Sequence, residues 1–382
     1  MKQGKSINDL VREVKRQSDS KVDYTANTRA LDADANGVVC LTLKGRDGQS
    51  DRFPLSKIAL RQVGDRTGIP AKYVDRMVKD SPDLFATNVN HWFTNEPKDQ
   101  MVRTIEDNNG QRYVRAFLSN RYRPLDNFDM LDAMLPHINK PNITIESCDV
   151  TESKMYIKAV DHNVSCEIPR DPNLKDYKWG EGHHMVDVVN PAISIGNSEV
   201  GMSSVFCIPG WFTRSCTNLA ISKAHAQRKY HVGRDTRGGD EYDHYGIYSE
   251  KSNRLNDAAI WSKMADLVNA SLGLDGKGGK VFNIIVENLK ASREREITGS
   301  VEKAMDCFAD KFKVNVEERS GILTHLIKGG DLSAYGLHSA VTRYSQDVAD
   351  YDRASELEQT GADVIELPKN DWQAIAVAVY ED

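Results

Sequence analysis

The hydrophobic period changes twice along this chain, and this change constrains the fold more than any other feature of the sequence. Short apolar runs with β-type spacing fill the stretch from Gln111 to Pro209, whereas the segments before and after it repeat apolar residues at helical spacing. Strands grouped in this way, rather than alternating with helices, are typical of α+β proteins. We therefore predict an α+β fold with a central, mostly antiparallel sheet, a helical N-terminal insertion and a helical C-terminal part.

Individual elements follow from the same pattern. The β-rich stretch is predicted to hold strands at 113–118, 143–147, 155–160, 186–195 and 205–208. A hairpin is predicted between Val38 and Phe53, because a glycine-containing turn separates two runs with strand character. The rest of the chain is predicted to form helices at 6–16, 56–92, Trp211–Tyr230, 256–272, 300–312, 316–328 and 333–349, with one strand at Val281–Val286.

The chain of 382 residues is longer than a usual single domain of about 100–200 residues, so several sub-structures are expected. We predict an N-terminal hairpin with a helix-turn-helix-like region (1–105), a β-rich core with a basic helix (106–250) and a mainly helical C-terminal region (251–382). Thr67 to Pro70 would end one helix and start the next, which carries Lys72, Tyr73 and Arg76. This second helix could read DNA or could only pack, and the sequence favours packing.

Composition bounds the compartment. The N-terminus is charged, and nowhere do eighteen apolar residues follow one another, so we expect neither export nor a membrane span. Six cysteines without a CxxC pair are typical of reduced thiols. We therefore expect a cytoplasmic protein, in the host cell cytoplasm if a phage encodes it.

The net charge of −6 argues against a surface that binds nucleic acid everywhere, but it allows a local basic site.

Two segments combine arginine or lysine with aromatic residues and contain no acid. The first lies between Asp107 and Asp126, and the second between Glu199 and Asp235. Guanidinium groups bind phosphates and flat rings stack on bases of any sequence, so such segments are typical of single-strand binding. The candidate binding residues are Arg115, Arg121, Tyr122, Arg123, Trp211, Arg214, Asn218, Lys223, Arg228, Lys229, His231 and Arg234. The alternative is a solvated basic face with the aromatic rings in the core.

Other chemistry has weaker support. Cys207, Cys216, His225 and His231 form a C-x8-C-x8-H-x5-H series, but only the histidine pair has a usual zinc-ligand spacing. The acidic residues between 235 and 244 lie in a glycine-rich loop, whereas two-metal catalysis needs carboxylates on rigid elements. The run Gly273 to Lys280 has a glycine where a phosphate-binding loop needs lysine, and we expect it to precede a strand rather than a helix. We therefore predict no metal, no cofactor and no catalytic site.

Several runs resemble a known family. They are Gly68 to Tyr73, Asn88 to Trp92, Val114 to Asn127, Ile195 to Gly201, Arg214 to Asn218, His231 to Arg234 and Tyr335 to Arg343. Together they are similar to the phage- and plasmid-borne proteins grouped as domain-of-unknown-function family 932, over most of the chain after Leu55. The setting of that family on mobile elements implies DNA metabolism. A sheet followed by a basic helix is also compatible, by fold analogy, with the ring-forming single-strand annealing proteins of phages.

The resemblance sharpens the residue assignment. Arg121, Tyr122 and Arg123 fall in one family motif, and Arg214, Asn218, His231 and Arg234 in another. Glu199, in a third, is expected to satisfy buried backbone or to pair with an arginine rather than to act as a base.

The function expected from the sequence is single-stranded DNA binding, extending to strand annealing in phage or plasmid recombination or replication. Because one chain offers few phosphate contacts, we expect a homo-oligomer. The alternatives are a metal-dependent nucleic-acid enzyme, and a phage structural or host-takeover adaptor with no nucleic-acid role.

Overall fold

The computed structural model describes residues 4–35, 38–44, 50–169, 186–214, 218–222, 226–231, 250–272 and 279–378. Its helices are α1 (Ile7–Ser20), α2 (Lys57–Arg66), α3 (Ala71–Asp80), α4 (Pro82–Asn95), α5 (Asn127–Ile138), α6 (Glu250–Leu272), α7 (Lys280–Arg293), α8 (Val301–Phe312), α9 (Val316–Gly329), α10 (Ala334–Tyr344), α11 (Tyr351–Glu366) and α12 (Lys369–Ala376). Its strands are β1 (Val22–Asn27), β2 (Leu31–Asp34), β3 (Cys40–Lys44), β4 (Ser50–Pro54), β5 (Asp99–Glu106), β6 (Arg112–Ser119), β7 (Ile143–Val150), β8 (Met155–Asp161), β9 (Cys166–Pro169), β10 (Val186–Asn197), β11 (Val205–Thr213), β12 (Asn218–Ile221) and β13 (Gln227–Lys229).

The strands form three sheets. The largest has the order β12-β11-β10-β8-β7, with β9 added to β10 and β13 added to β11. Two smaller sheets have the orders β1-β5-β6 and β2-β3-β4. Every pairing between these strands is antiparallel. Helices α2 to α4 lie between β4 and β5, and α6 to α12 follow the last strand, so the predicted α+β architecture is confirmed.

The large sheet is buried on both faces, and this explains its near-continuous apolar strands. Along β11, Val205 and Cys207 point into a core shared with α1, α5 and α6. Phe206 and Ile208 point the other way, into a cluster that includes Tyr351 at the start of α11. All nine residues of β11 are buried as a result.

The predicted helix from Trp211 to Tyr230 is wrong. In the described residues of this segment, β11 continues to Thr213 and is followed by β12 and β13. Pro209 is tolerated inside β11 because β13 pairs only with Val205 to Cys207 and β12 only from Gly210 onward. The missing N–H of Pro209 therefore falls in the gap between the two short partner strands.

The predicted strand from Val281 to Val286 is also wrong, because this run belongs to α7. Its β-branched residues suggested a strand, but the buried positions Phe282, Ile285, Val286 and Leu289 recur at helical spacing. Ile284, between them, is 48% exposed. The glycine-rich run that ends at Lys280 thus precedes a helix, contrary to our expectation, although residues 273–278 of that run lie outside the described residues.

The hairpin of β5 and β6 crosses the domain boundary predicted at 105/106. Its strands pair from Gln100↔Ser119 to Glu106↔Arg112. The three-part division of the chain stays a prediction.

No helix in the described ranges combines the length and apolar character needed to cross a bilayer.

A fully buried ion pair joins the large sheet to α11. The Lys158 ammonium on β8 lies 2.6 Å from a carboxylate oxygen of Glu358 and 2.9 Å from the Ser355 hydroxyl. The same ammonium lies 4.7 Å from the centroid of the Tyr351 ring. Because neither charge reaches water, each depends on the other for its solvation.

Lys158→Met should therefore lower the free energy of unfolding by about 3–5 kcal/mol, because it leaves the Glu358 carboxylate buried without its partner. The double variant Lys158→Met/Glu358→Leu should recover most of this loss. Urea denaturation of the full chain measures both. A single variant as stable as the unmodified protein would contradict a buried, mutually dependent pair.

Candidate nucleic-acid interface

The two acid-free segments of the sequence meet in the structure. The Arg123 backbone N–H donates to the His231 carbonyl at 3.0 Å, across 108 residues of sequence. The His231 ring stacks on Tyr122, with 4.9 Å between centroids and 10° between planes. Residues 121–123 and 228–231 therefore form one continuous structural unit.

Local structure decides which side chains of this unit reach solvent. Strand β6 ends at Ser119, and the turn that follows is closed by the Tyr122 N–H donating to the Ser119 carbonyl at 2.9 Å. The Arg121 N–H donates to the Ser119 hydroxyl at 3.1 Å. This turn leaves Arg121 exposed and buries Tyr122, which is only 8% exposed. Arg121 and Arg123 therefore do not share a strand face, because β6 ends before them.

Strand β13 supplies the other half of the exposed surface. It pairs with the start of β11 in the register Val205↔Lys229 and Phe206↔Arg228. Arg228 is exposed, Lys229 is half-buried and Tyr230 is 66% exposed. We call Arg121, Arg228, Lys229 and Tyr230 the basic surface; Arg228 and Lys229 project from opposite faces of the sheet, because they pair with Phe206 and Val205. The side-chain cations of its first three members have no hydrogen-bond or ion-pair partner within the described residues.

Behind the basic surface lies a buried polar layer around His231. The ring Nε2 lies 2.9 Å from Asn197 Oδ1, and Nδ1 lies 3.2 Å from the Arg123 carbonyl. The Asn197 amide group donates to the Leu125 carbonyl at 2.7 Å and to Asn127 Oδ1 at 3.0 Å, which fixes its orientation. Both partner oxygens are acceptors, so a neutral His231 ring donates a hydrogen bond to only one of them.

Glu199 pairs with an arginine and with a buried backbone N–H, as expected from the sequence. One carboxylate oxygen lies 2.6 Å from an Arg115 guanidinium nitrogen, and the other accepts from the Asn127 backbone N–H at 2.7 Å. Its backbone carbonyl accepts from Arg103 at 3.1 Å. Glu199 is 7% exposed. Both carboxylate oxygens of Glu199 therefore have partners within the protein.

Several predicted binding residues use their polar groups internally. Arg115 pairs with Glu199, and Arg123 lies 2.5 Å from an Asp257 carboxylate oxygen on α6. The Tyr122 hydroxyl donates to the Ser198 carbonyl at 3.0 Å. The sequence could not show these pairings, because each partner lies more than 70 residues away along the chain.

Trp211 and Arg214 do not join the basic surface. They lie at the far end of β11, about 20–30 Å along the strand from Val205. Trp211 is 1% exposed, and its ring packs 5.2 Å from the ring of His338 in the core. Arg214 donates to Asn190 Oδ1 at 2.7 Å and to the His162 carbonyl at 2.6 Å.

Three predicted site residues fall outside this description. Lys223 and Arg234 lie outside the described residues, and of Asn218 only the backbone position in β12 is described. The structure also adds one residue to the predicted set, the exposed Tyr230. An aromatic ring directly after Arg228 and Lys229 was the signal in the sequence.

The metal hypotheses concern mostly undescribed positions. Cys216, His225 and the acidic loop 235–244 lie outside the described residues. Cys207 is fully buried, and burial raises the pKa of its thiol. Within the described ranges, no group of three His, Cys, Asp or Glu side chains could hold a metal ion.

Comparison with known proteins gives no match to a protein-family model, to a curated protein or to a solved structure. The resemblance to domain-of-unknown-function family 932 therefore stays a prediction.

The buried imidazole of His231 should make stability depend on pH. Burial lowers its pKa to about 4 from an ordinary value of 6.5, although the hydrogen bond with the Arg123 carbonyl opposes this shift. The unfolded chain therefore binds the proton more readily, so stability is full above pH 6.5 and falls as the pH decreases toward 4. The loss should be on the order of 2–3 kcal/mol for this one group.

Burial also lowers the pKa of His338 to about 4, so His338 adds to the pH dependence of stability. The His231→Asn variant keeps His338, and the difference between the variant and the unmodified protein therefore gives the contribution of His231. We expect the unmodified protein to lose more stability than the variant between pH 7 and pH 4. An NMR titration of the His231 ring gives a direct check. A midpoint at its ordinary value would contradict the buried, neutral ring.

Proposed function

We propose that the protein binds single-stranded DNA at the basic surface. The observation that carries the proposal is the meeting of two acid-free segments from distant parts of the sequence. Near this junction Arg121, Arg228 and Lys229 have no acidic partner in the described residues, and Tyr230, which follows Lys229 in the sequence, is 66% exposed.

This arrangement has the two components that a single-strand site needs. Arginine forks form charge-assisted hydrogen bonds with phosphate oxygens, and an exposed aromatic ring stacks on a base whatever its identity. The contacts of Tyr122 and His231 beneath the surface hold both basic segments in place, so little ordering should be needed on binding. Binding rather than acid–base chemistry is favoured, because His231 and Glu199 are buried and their polar atoms contact partners within the protein.

The charge count sets the expected salt dependence. If Arg121, Arg228 and Lys229 each neutralise one phosphate, a plot of the logarithm of the binding constant against the logarithm of the salt concentration should have a slope of about −2. Each single-strand contact contributes about −0.7 to this slope. The double variant Arg121→Ala/Arg228→Ala should bring the slope close to −0.7. Tyr230→Ala should weaken binding by about 1–3 kcal/mol and leave the slope unchanged, because it removes stacking rather than charge.

Fluorescence anisotropy with a labelled oligonucleotide over a salt series measures all three proteins. The matched control is Lys328→Ala/Lys369→Ala, which removes two exposed cations from the C-terminal helices and should bind like the unmodified protein. Equal weakening in the control would mean that only net charge matters. A flat salt response of the unmodified protein would reject the site and favour the adaptor alternative.

We also propose that several copies act together, since three cations on one chain give modest affinity at physiological salt. Linked contacts gain affinity through effective concentration without new chemistry, and an array could present extended strands for pairing with a complement. Light scattering with and without an oligonucleotide of about 40–80 bases should show a homo-oligomer, because one subunit would cover only about 4–16 nucleotides. A monomer in both conditions that does not accelerate strand pairing would remove annealing from the proposal.

A further inference from the structure

Helices α2 and α3 are joined as in a helix-turn-helix unit. The turn from Thr67 to Pro70 includes Gly68 at φ +72°, a left-handed conformation that favours glycine. The Ile69 N–H donates to the Gly64 carbonyl at 2.8 Å and closes the end of α2. Pro70 then stands directly before α3 and ends the preceding helix. A connection of four residues that contains glycine is typical of this motif.

The inner face of α3 is anchored in the N-terminal core. Val74 and Met77 are 1% and 2% exposed and belong to a cluster with residues of α2, α4 and the β2-β3-β4 sheet. Gly64 allows the close approach of the two helices, since a Cβ atom there would lie 2.3 Å from a Val74 methyl group. The orientation of α3 is therefore fixed by packing.

The outer face of α3 carries cations without partners. Lys72, Arg76 and Lys79 are all exposed, and none has a hydrogen-bond or ion-pair partner among the described residues. At about 100° of rotation per residue, the three side chains lie within an arc of about 60° around the helix axis. This arc is on the side opposite the buried Val74 and Met77. The neighbouring Asp75 does not cancel this charge, because the Arg61 guanidinium binds its carboxylate at 2.8 and 3.2 Å. Hydrogen bonding to Arg61 lowers the pKa of Asp75.

We propose that α3 contacts double-stranded DNA, with its exposed face in the major groove. An α-helix with its side chains is about 10–12 Å wide, and the major groove is about 12 Å wide. Tyr73, which is 44% exposed, lies in the first half of α3, the part of a recognition helix that reaches base edges, and Arg76 follows near the middle of the helix. Lys72 and Lys79 flank them and are placed to contact phosphates.

This site goes beyond the single-strand function proposed above and does not depend on it. The two sites use different residues, so each has its own variants. A protein with both could hold a duplex by α3 while the basic surface binds an unpaired strand. An acidic protein surface is the competing ligand for a row of cations, and it is distinguished by the absence of duplex binding.

The test is the binding of a 25-base-pair duplex and of a single strand of the same sequence, each over a salt series. Lys72→Ala/Arg76→Ala should weaken duplex binding about tenfold or more and reduce the magnitude of its salt slope by about 1.8, at about 0.9 per duplex contact. Single-strand binding by this variant should be unchanged. Arg121→Ala/Arg228→Ala should keep duplex binding, and Lys328→Ala/Lys369→Ala is again the charge-matched control.

All substituted residues are exposed, so circular dichroism and melting should match the unmodified protein. If the double variant nevertheless fails to fold, Lys79→Ala alone should still reduce the slope by about 0.9. An unmodified protein that does not bind the duplex at low salt would overturn the proposal. Equal duplex binding by the α3 variants and the control would also overturn it, whatever the result for the single strand.

Discussion

A buried arginine holds the centre of this protein together. Arg103 on β5 is only 4% exposed, and a guanidinium removed from water must have its N–H groups paired. It donates to Asp23 at 2.9 Å, to Asp126 at 2.8 Å and to the Glu199 carbonyl at 3.1 Å. Burial opposes the charge, but the surrounding carboxylates outweigh it and raise the pKa of Arg103 above its ordinary value. One side chain thereby links β1, the segment before α5 and the loop after β10.

The basic surface depends on this buried network. Arg103 lies 6.0 Å from the centroid of the Tyr122 ring, and Tyr122 in turn supports His231. Glu199 and Asp257 neutralise the charges of Arg115 and Arg123, which would otherwise add to the positive charge of the basic surface. The network thus uses Arg115 and Arg123 for structure and leaves Arg121 for solvent. Arg121 and Arg123, which lie two residues apart, consequently have different roles. Arg123 forms an internal ion pair, and Arg121 is exposed to solvent.

The sequence predicted those parts of the fold in which local signals agree. The glycine-containing hairpin of β3 and β4 and the break between α2 and α3 were both predicted, because turn residues separate clear periodic runs. The helix predicted from Trp211 to Tyr230 is wrong, because β11 continues through Pro209. In the structure the proline falls between two short partner strands, a tertiary arrangement that has no local signal.

The candidate site shows the same limit. Acid-free runs of basic and aromatic residues identified the two segments that meet in space, because charge clustering is a property of the sequence. Which arginines remain available could not be predicted. Arg115 and Arg123 are neutralised by Glu199 and Asp257, which lie 84 and 134 residues further along the chain. Only the fold brings these acids close.

The N-terminal helices are bound to the β1-β5-β6 sheet and to the loop after β10 by direct hydrogen bonds rather than by a linker. The Gln62 side chain on α2 accepts from the Phe117 N–H and donates to the Val200 carbonyl, both at 2.8 Å. The Ser56 N–H before α2 donates to the Val114 carbonyl at 3.0 Å. Breaking these contacts would leave partly buried backbone groups unpaired, at a cost of about 1–3 kcal/mol each. The outer face of α3 is therefore held in a defined orientation to the loop that contains Glu199. Since that loop also supports the basic surface, the two proposed sites have a fixed geometry relative to each other, set by the packing of the protein.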